Sequence, residues 1–191
     1  SAIEKYNMIE DGDRIAVGVS GGKDSLTLLY ALVNLQKFYP KHFDLVAITV
    51  DLGYEGFDLT GIQRLCEDLQ VEYHIINTTI GEMVTSDTLE GSACSLCARL
   101  RKGALNDAAK ELGCNKVAYG HHLDDVIETM MLALIYEGRF CSFWPVTHLD
   151  KSDLTVIRPM IYVPETAVKG FENKMNLPVS KNPWPIDGST K

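Results

Sequence analysis

Four short, nearly unbroken apolar runs punctuate the chain, and each is set off from the next by a helix-like segment. Ile15-Ala16-Val17-Gly18-Val19, Leu45 to Val50, Val71 to Ile76 and Lys116 to Tyr119 read as strands. Between and after them, helical periodicity runs from Ser25 to Phe38, from Leu59 to Leu69, from Cys97 to Leu112 before Gly113, and from His122 to Tyr136 before Gly138. A strand that is apolar at most positions must be covered on both faces, and alternation with helices supplies that cover. The pattern therefore predicts an α/β fold, an open parallel sheet with helices on both faces. Beyond Pro145 the pattern weakens. Thr155-Val156-Ile157 is expected as an edge strand before Pro159, and Glu165 to Met175 as a short helix. Asn182-Pro183-Trp184-Pro185 suits neither helix nor central strand. Asn77 to Ser92 is polar, lacks a period and is expected as a loop.

Composition narrows the function classes. The 191 residues suit one large domain, or one with a short appendage, and 46% hydrophobic with 23% charged residues excludes a disordered or collagen-like chain. No apolar run approaches the roughly 20 residues of a membrane helix, so no membrane partner is expected. The net charge of −8 is uneven: residues 1–150 hold 12 Lys/Arg against 22 Asp/Glu, and residues 151–191 hold 6 against 4. An acidic balance argues against wrapping bulk nucleic acid but leaves room for a local basic path, for which Arg99, Arg101, Lys102 and Arg139 are candidates. Five cysteines, an odd number, read as reduced thiols of a cytoplasmic protein.

Ser20-Gly21-Gly22-Lys23-Asp24-Ser25 joins the first expected strand to the first expected helix. Glycines let backbone N–H groups approach an anion, and a helix N-terminus adds partial positive charge. Ser20 and Ser25 offer hydroxyls and Lys23 a mobile cation, a set suited to phosphate or pyrophosphate. It is not a Walker A loop, which would need Gly where Val17 stands and Ser or Thr where Asp24 stands; the dinucleotide pattern G-x-G-x-x-G is absent too. The same residues also describe a tight turn with Asp24 as a favourable first-turn acid.

Cys94-Ser95-Leu96-Cys97 precedes Arg99, Arg101 and Lys102. In a helix, residues i and i+3 share a face, and nearby cations favour thiolate. Metal or cluster ligation, a redox dithiol and a persulfide carrier all fit, as do two incidental thiols. Gly120-His121-His122-Leu123-Asp124-Asp125, with Glu128, opens a helix after a strand. Acids there complement the helix dipole; they also lie at the sheet edge where ligands bind, and beside a triphosphate they would hold Mg²⁺ or place a nucleophile.

These segments together resemble a known family. Ser20 to Ser25 resembles the S-G-G-x-D-S loop of the PP-loop ATP pyrophosphatases, which have the adenine nucleotide α-hydrolase-like fold. Cys94 to Gly103 resembles the C-x-x-C-x-R-L-R-R-G segment of the tRNA 2-thiocytidine synthetases, and Gly120 to Asp125 their G-H-H-x-D-D motif. Tyr6-Asn7-Met8-Ile9, Asp11-Gly12-Asp13-Arg14 and Arg158-Pro159 extend the likeness, which runs from about Ala2 to Asp187. The resemblance implies a PP-loop ATP-binding domain over 1–150, with 151–191 as its continuation, truncated relative to longer relatives. It implies ATP-dependent tRNA thiolation with Mg²⁺: a base carbonyl is adenylated, pyrophosphate leaves and sulfur replaces AMP. In its terms Ser20, Gly21, Gly22, Lys23, Asp24 and Ser25 hold the phosphates, Thr49, Val50 and Asp51 meet adenine through their backbone, and Gly120 lies against ATP. Lys23 assists the departing pyrophosphate, Arg101 touches phosphate, Asp125 is the catalytic acid, and Cys94 and Cys97 carry sulfur and ligate an iron–sulfur cluster. The family's third cluster cysteine falls in the segment Asn182 to Gly188, where this chain has Trp184; Cys141 is the reserve, with Cys66 and Cys114 at structural positions. The partners implied are tRNA and a persulfide or sulfide donor, with a homodimer as the open assembly. The competing readings are a PP-loop tRNA amine ligase resembling lysidine synthetase, which lacks the dithiol pattern, and a diverged ATP- or metal-binding protein without turnover.

Overall fold

The computed structural model describes residues 1–54, 56–85 and 93–180. In chain order these form α1 (Ala2–Lys5), β1 (Asp13–Gly18), α2 (Lys23–Gln36), β2 (Phe43–Asp51), α3 (Thr60–Asp68), β3 (Glu72–Asn77) and α4 (Ile80–Thr85). Then follow α5 (Ala93–Glu111), β4 (Lys116–Ala118), α6 (Leu123–Glu137), β5 (Val146–Leu149), β6 (Leu154–Ile157) and α7 (Glu165–Met175). The six strands make one sheet in the order β3-β2-β1-β4-β6-β5, parallel throughout except for the antiparallel β5–β6 pair. The α/β architecture is the one the alternating pattern predicts.

Side-chain alternation along β1 explains the two covered faces. Ile15 and Val17, with Val19 just beyond the strand, enter a core with Leu26, Leu28, Leu29 and Leu32 of α2. Ala16 enters the opposite core with Leu105, Ala108 and Ala109 of α5. Both sets are almost wholly buried, so truncating one such leucine to alanine costs about 2–5 kcal/mol. On β2, Leu45 and Ala47 face the α2 side, and Val46, Ile48 and Val50 face the α5 side.

Three expectations need correction. Thr155 to Ile157 is not an edge strand: β6 lies between β4 and β5, and the short β5 takes the edge. The expected loop from Asn77 to Ser92 contains α4, held by Ile80 and Val84, two buried residues at i and i+4. The helix expected from Cys97 begins at Ala93, which places the Cys94 and Cys97 backbones within one helical turn.

The topology positions the site. From β1 the chain moves outward through β2 and β3, then returns to lay β4 on the other side of β1. The crevice at the C-terminal ends of β1 and β4 is thus the switch point where ligands bind in open α/β sheets. The opposite ends serve stability. Lys116 Nζ lies 2.7 Å from the Asp13 carboxylate and donates to the Met8 carbonyl at 3.1 Å. Burial works to raise the Asp13 pKa, but hydrogen bonds from the Glu10 amide, Lys116 and Asn115 outweigh it and hold the pKa below its ordinary value.

Candidate active site

A cleft of about 340 Å³ opens at the switch point. Its walls are Gly18, Val19, Ser20, Asp24 and Ser25 after β1, Ile48 and Val50 of β2, and Ala98, Arg101, Lys102 and Leu105 of α5. Tyr119, Gly120, His121 and Asp125 close it from the β4 side. The glycine turn and the acidic motif therefore share one cavity, flanked by the helix that carries the cysteine pair.

The glycine turn is shaped before any ligand arrives. Gly21 has φ +81°, a conformation that side chains disfavour, and a Cβ there would collide with the Ser180 side chain. The Ser180 amide donates to the Gly21 carbonyl at 3.1 Å, so the segment after α7 is tied to the loop. Ser25 Oγ donates to the Gly22 carbonyl at 2.9 Å and accepts from the Ser20 amide at 3.1 Å; the two serine hydroxyls lie 3.2 Å apart. Gly22 caps α2 without a side-chain hydrogen bond, leaving the positive end of the helix open to an anion.

Gly120 brings the halves together. A Cβ at this position would sit 3.0–3.2 Å from backbone atoms of Asp24 and Ser25. Only a residue without a side chain lets the β4 loop approach the start of α2 so closely. Gly18 plays a related part, since a Cβ there would meet the end of Leu105 at 2.7 Å.

The two acids of the second motif separate by geometry. Asp125 forms a capping box with His122, accepting from the His122 amide at 2.7 Å, and lines the cleft. Asp124 turns to the first amide of α7, accepting from Glu165 N at 2.7 Å. Asp24 also lines the cleft, and its Oδ1 is buried without a hydrogen-bond partner; His122 Nε2 lies 3.7 Å from it. An orphaned carboxylate oxygen facing a cavity, with Asp125 across it, fits Mg²⁺, which takes one or two carboxylates together with substrate phosphates. Among the described residues no group of three or more His, Cys, Asp or Glu would hold a metal unaided.

Lys23 departs from the mobile cation of the sequence reading. Its Nζ sits 3.1 Å from both Asp24 and Glu165, outside the cleft lining. Burial works against its charge, but the Glu165 and Asp24 carboxylates prevail and raise its pKa. Glu165, bonded to Lys169 and Lys23, is lowered to about 2. Lys23 must exchange these carboxylates to meet an anion.

Thr49 faces away from the cleft, donating to the Val19 carbonyl at 2.8 Å and accepting from the Tyr73 hydroxyl at 2.9 Å. Val50 lines the cleft, and Asp51 lies beside it in a smaller pocket with Leu52, Tyr54 and Arg101. Asp51 Oδ1 accepts from the Gly53 amide at 2.9 Å.

Cys97 is buried, 8% exposed, in the core beneath α5, and Arg101 follows one helical turn later. Burial lowers the Arg101 pKa, and the neighbouring Cys97 and Tyr119 act in the opposite direction. The Cys94 side chain and Trp184 lie outside the described residues. Cys141 is exposed in the segment after α6, and Cys66 and Cys114 are buried in the core. The described residues thus supply no third cysteine beside Cys97 for a cluster.

Tyr119 lines the cleft but was absent from the sequence reading of the site, and His121 entered that reading only as a member of the Gly120–Asp125 motif. Tyr119 and His121 flank Gly120, and their rings form a wall with Phe143, with centroids 5.9 Å and 4.7 Å apart; the Arg158 guanidinium covers Phe143 at 5.0 Å. Burial and the nearby Arg158 charge push the His121 pKa down to about 4, so the ring is neutral at neutral pH. Its Nδ1 is buried without a hydrogen-bond partner. The strand end at Tyr119 was the available signal. Lys102 was noted only as a basic residue.

The comparisons agree with this geometry. The family model described as PP-loop domain matches residues 2–184. The tRNA-cytidine(32) 2-sulfurtransferase of Geobacter sulfurreducens is 40% identical over 189 residues, covering 98% of this chain and 74% of that protein. That of Pelobacter propionicus is 42% identical over 190 residues, covering 99% and 71%. Among solved structures, the U34-tRNA thiolase NcsA from Methanococcus maripaludis, with its 4Fe–4S cluster, superimposes with a TM-score of 0.78 at 29% identity. The match covers 96% of this chain and 64% of that one, so the chain spans just under two thirds of the thiolase. An NH3-dependent NAD synthetase from Campylobacter jejuni, at 20% identity and TM-score 0.54 over 92% of this chain and 69% of its own, shares the fold. With the glycine turn, the dithiol helix and the Gly120–Asp125 motif gathered at one switch point, this chain belongs to the PP-loop family and, within it, to the family of the tRNA-cytidine(32) 2-sulfurtransferases.

Proposed function

We propose that this protein thiolates a cytidine of tRNA at the expense of ATP. One observation carries the reading: the Ser20–Ser25 turn, Asp125 and the helix bearing Cys94 and Cys97 border a single cleft large enough for the reacting part of a nucleotide. ATP lies with its phosphates on Ser20, Gly21, Gly22, Asp24 and Ser25 at the start of α2, against Gly120, and with adenine at the β2 end of Thr49, Val50 and Asp51. The O2 atom of the base attacks the α-phosphorus, and pyrophosphate leaves toward the glycine turn. Arg101 and Lys23, once released from Glu165, balance its charge. Asp24 and Asp125 would hold Mg²⁺, which supplies charge neutralisation on the phosphates. Positioning and electrostatics do most of the work in such a step.

A persulfide donor passes its outer sulfur to one thiolate of the dithiol, whereas sulfide forms the same cysteine persulfide by opening the Cys94–Cys97 disulfide. From a persulfide on one cysteine, the terminal sulfur bonds to C2 as AMP departs. The other thiolate then attacks the cysteine sulfur of the new S–S bond. This frees the thiocarbonyl and leaves a Cys94–Cys97 disulfide, which a dithiol reductant or sulfide reopens. No step is routed through an iron–sulfur cluster, because Trp184 stands at the family's third cysteine position. Iron content measured anaerobically after reconstitution should be low in the natural chain and rise in Trp184→Cys; equal iron in both would remove Trp184 as the cause. Residues 151–191 are read as the continuation of the ATP-binding domain, the setting as cytoplasmic and the assembly as a homodimer. No described helix is long and apolar enough to cross a membrane.

The deciding assay incubates the chain, its Cys94–Cys97 pair oxidised to the disulfide, with unmodified tRNA, ATP, Mg²⁺ and sulfide without oxygen. Pyrophosphate and 2-thiocytidine should appear together, the latter by mass spectrometry of nucleosides. Neither product from a folded sample that binds ATP would refute the reading.

A further inference from the structure

Lys23 is the sole cation of the glycine turn Ser20–Ser25, yet two carboxylates clamp its Nζ at 3.1 Å each, away from the cleft lining. Asp24 neighbours Lys23 in the chain and moves with it. Glu165 belongs to another helix, so this second pair must break when Lys23 moves toward an anion. The fold fixes where Glu165 stands. Its amide donates to Asp124 Oδ2 at 2.7 Å, and the Leu123 amide donates to the Val163 carbonyl at 2.9 Å, so the start of α7 is tied twice to the start of α6. Farther along, α7 docks on α2 through Phe171 and Tyr30, whose ring centroids lie 5.4 Å apart. Tyr30 stands two turns after Lys23 on α2, so the two helices meet at both points. Glu165 also has a second cation. Its Oε2 lies 2.8 Å from Lys169 Nζ, one turn along α7, while its Oε1 faces Lys23. Losing Lys23 therefore leaves the carboxylate paired.

We propose that Glu165 is a gate on the phosphate loop: a positioning residue that holds Lys23 back while the cleft is empty, yields it to the β- and γ-phosphates of ATP and reclaims it as pyrophosphate departs. The inference rests on the ATP-dependent reading and concerns its phosphate subsite. Charge sets the direction of each exchange. Pyrophosphate carries several negative charges against the single one of Glu165, so it takes Lys23 on arrival. As pyrophosphate loosens, the fixed carboxylate competes for Lys23 again. Every phosphate ligand must displace Glu165, so the loop binds pyrophosphate less tightly than an unclamped lysine would allow, and the product leaves sooner. Product release limits turnover in many enzymes, which gives such a competitor its use. Lys169 makes the exchange cheap, because the displaced carboxylate keeps one partner throughout.

Calorimetric titration of the full 191-residue chain with pyrophosphate and Mg²⁺ tests this without ATP, tRNA or turnover. Glu165→Gln keeps the shape and removes the charge, and should bind pyrophosphate about 5-fold more tightly. Lys169→Met removes the second cation, leaves Glu165 wholly to Lys23 and should weaken binding about 3-fold. A residue that merely supports the start of α7 would not give opposite signs. Both effects should vanish when Lys23→Met is added, since the gate acts through Lys23; a general field effect would survive there. Lys169 is 54% exposed, so its variant decides the matter even where Glu165→Gln folds poorly. Equal or weaker binding in Glu165→Gln overturns the gate, as do differences that persist with Lys23→Met, and the thiolation reading then still stands. A chain that shows these responses but forms no 2-thiocytidine keeps the gate and refutes the thiolation reading. A natural chain that binds no pyrophosphate overturns both.

Discussion

Gly120 shows how a single missing Cβ shapes the cleft. In Gly120→Ala the new methyl group would press on the backbone of Asp24 and Ser25 at 3.0–3.2 Å, and backbone cannot yield as a side-chain tip can. The β4 loop must retreat and the cleft must open. The variant should fold with a loss of about 1–3 kcal/mol, and calorimetry should show ATP bound at least ~10-fold more weakly. His121 gives a second test at the same scale, through pH. Its ordinary pKa of 6.5 falls to about 4 in the folded protein. Above pH 6.5 the ring is neutral in both states and costs nothing. Between 6.5 and about 4 the unfolded chain takes up a proton that the folded chain refuses, so stability falls as pH falls, by on the order of 2–3 kcal/mol. Chemical denaturation of the natural chain and of His121→Gln across that window should diverge, with the variant showing the shallower slope.

Helix joints explain why two adjacent acids should behave differently. Asp124 ties α6 to α7 through the Glu165 amide, and Asp125 caps α6 at its own start and faces the cleft. Asp124→Ala should lower stability by about 1 kcal/mol and leave ATP affinity within about 3-fold. Asp125→Asn keeps most of the cap and removes the charge, so it should cost turnover by ~100-fold or more at nearly unchanged melting temperature. A reversed pattern in paired melting and turnover measurements would exchange the two roles. Spacing alone could not separate these acids, since both sit in one first turn; the family resemblance singled out Asp125, and the position of α7 gives Asp124 its own role. The longer elements were legible because periodicity survives over many residues: α7 begins and ends where the pattern of Glu165 to Met175 predicts. The short ones were not. Six-residue α4 buries only two large apolar side chains among its described ones, and four-residue β5 becomes a strand through its pairing with β6 across a turn where Asp153 adopts φ 50°. The cleft lining repeats the lesson. Motifs marked the two loops, but the turn of α5 that faces them, and the Glu165 carboxylate that holds Lys23, depend on how distant elements meet.

At the scale of the whole molecule, an acidic protein must hold an acidic substrate, and charge placement decides how. With a net charge of −8, the long-range field repels tRNA, so attraction has to come from a few side chains near the cleft. Arg99 and Lys102 are exposed on α5, and Lys102 lines the cleft beside Arg101, on the side opposite the Gly120–Asp125 loop. Two or three phosphate contacts at that lip predict a modest salt response. With ~3 contacts, affinity should fall about 40-fold between 50 and 200 mM salt, against the 10³–10⁵ of proteins that make 6–10 contacts. Filter binding or fluorescence anisotropy over a salt series checks the slope, and Lys102→Ala should reduce it by about 1. A slope near zero would leave stacking and shape as the source of affinity, with the Tyr119–His121–Phe143 wall as the surface to mutate next. A slope near that of the many-contact proteins would require basic residues outside α5 as well, for which residues 151–191, with 6 Lys/Arg against 4 Asp/Glu, are the candidates.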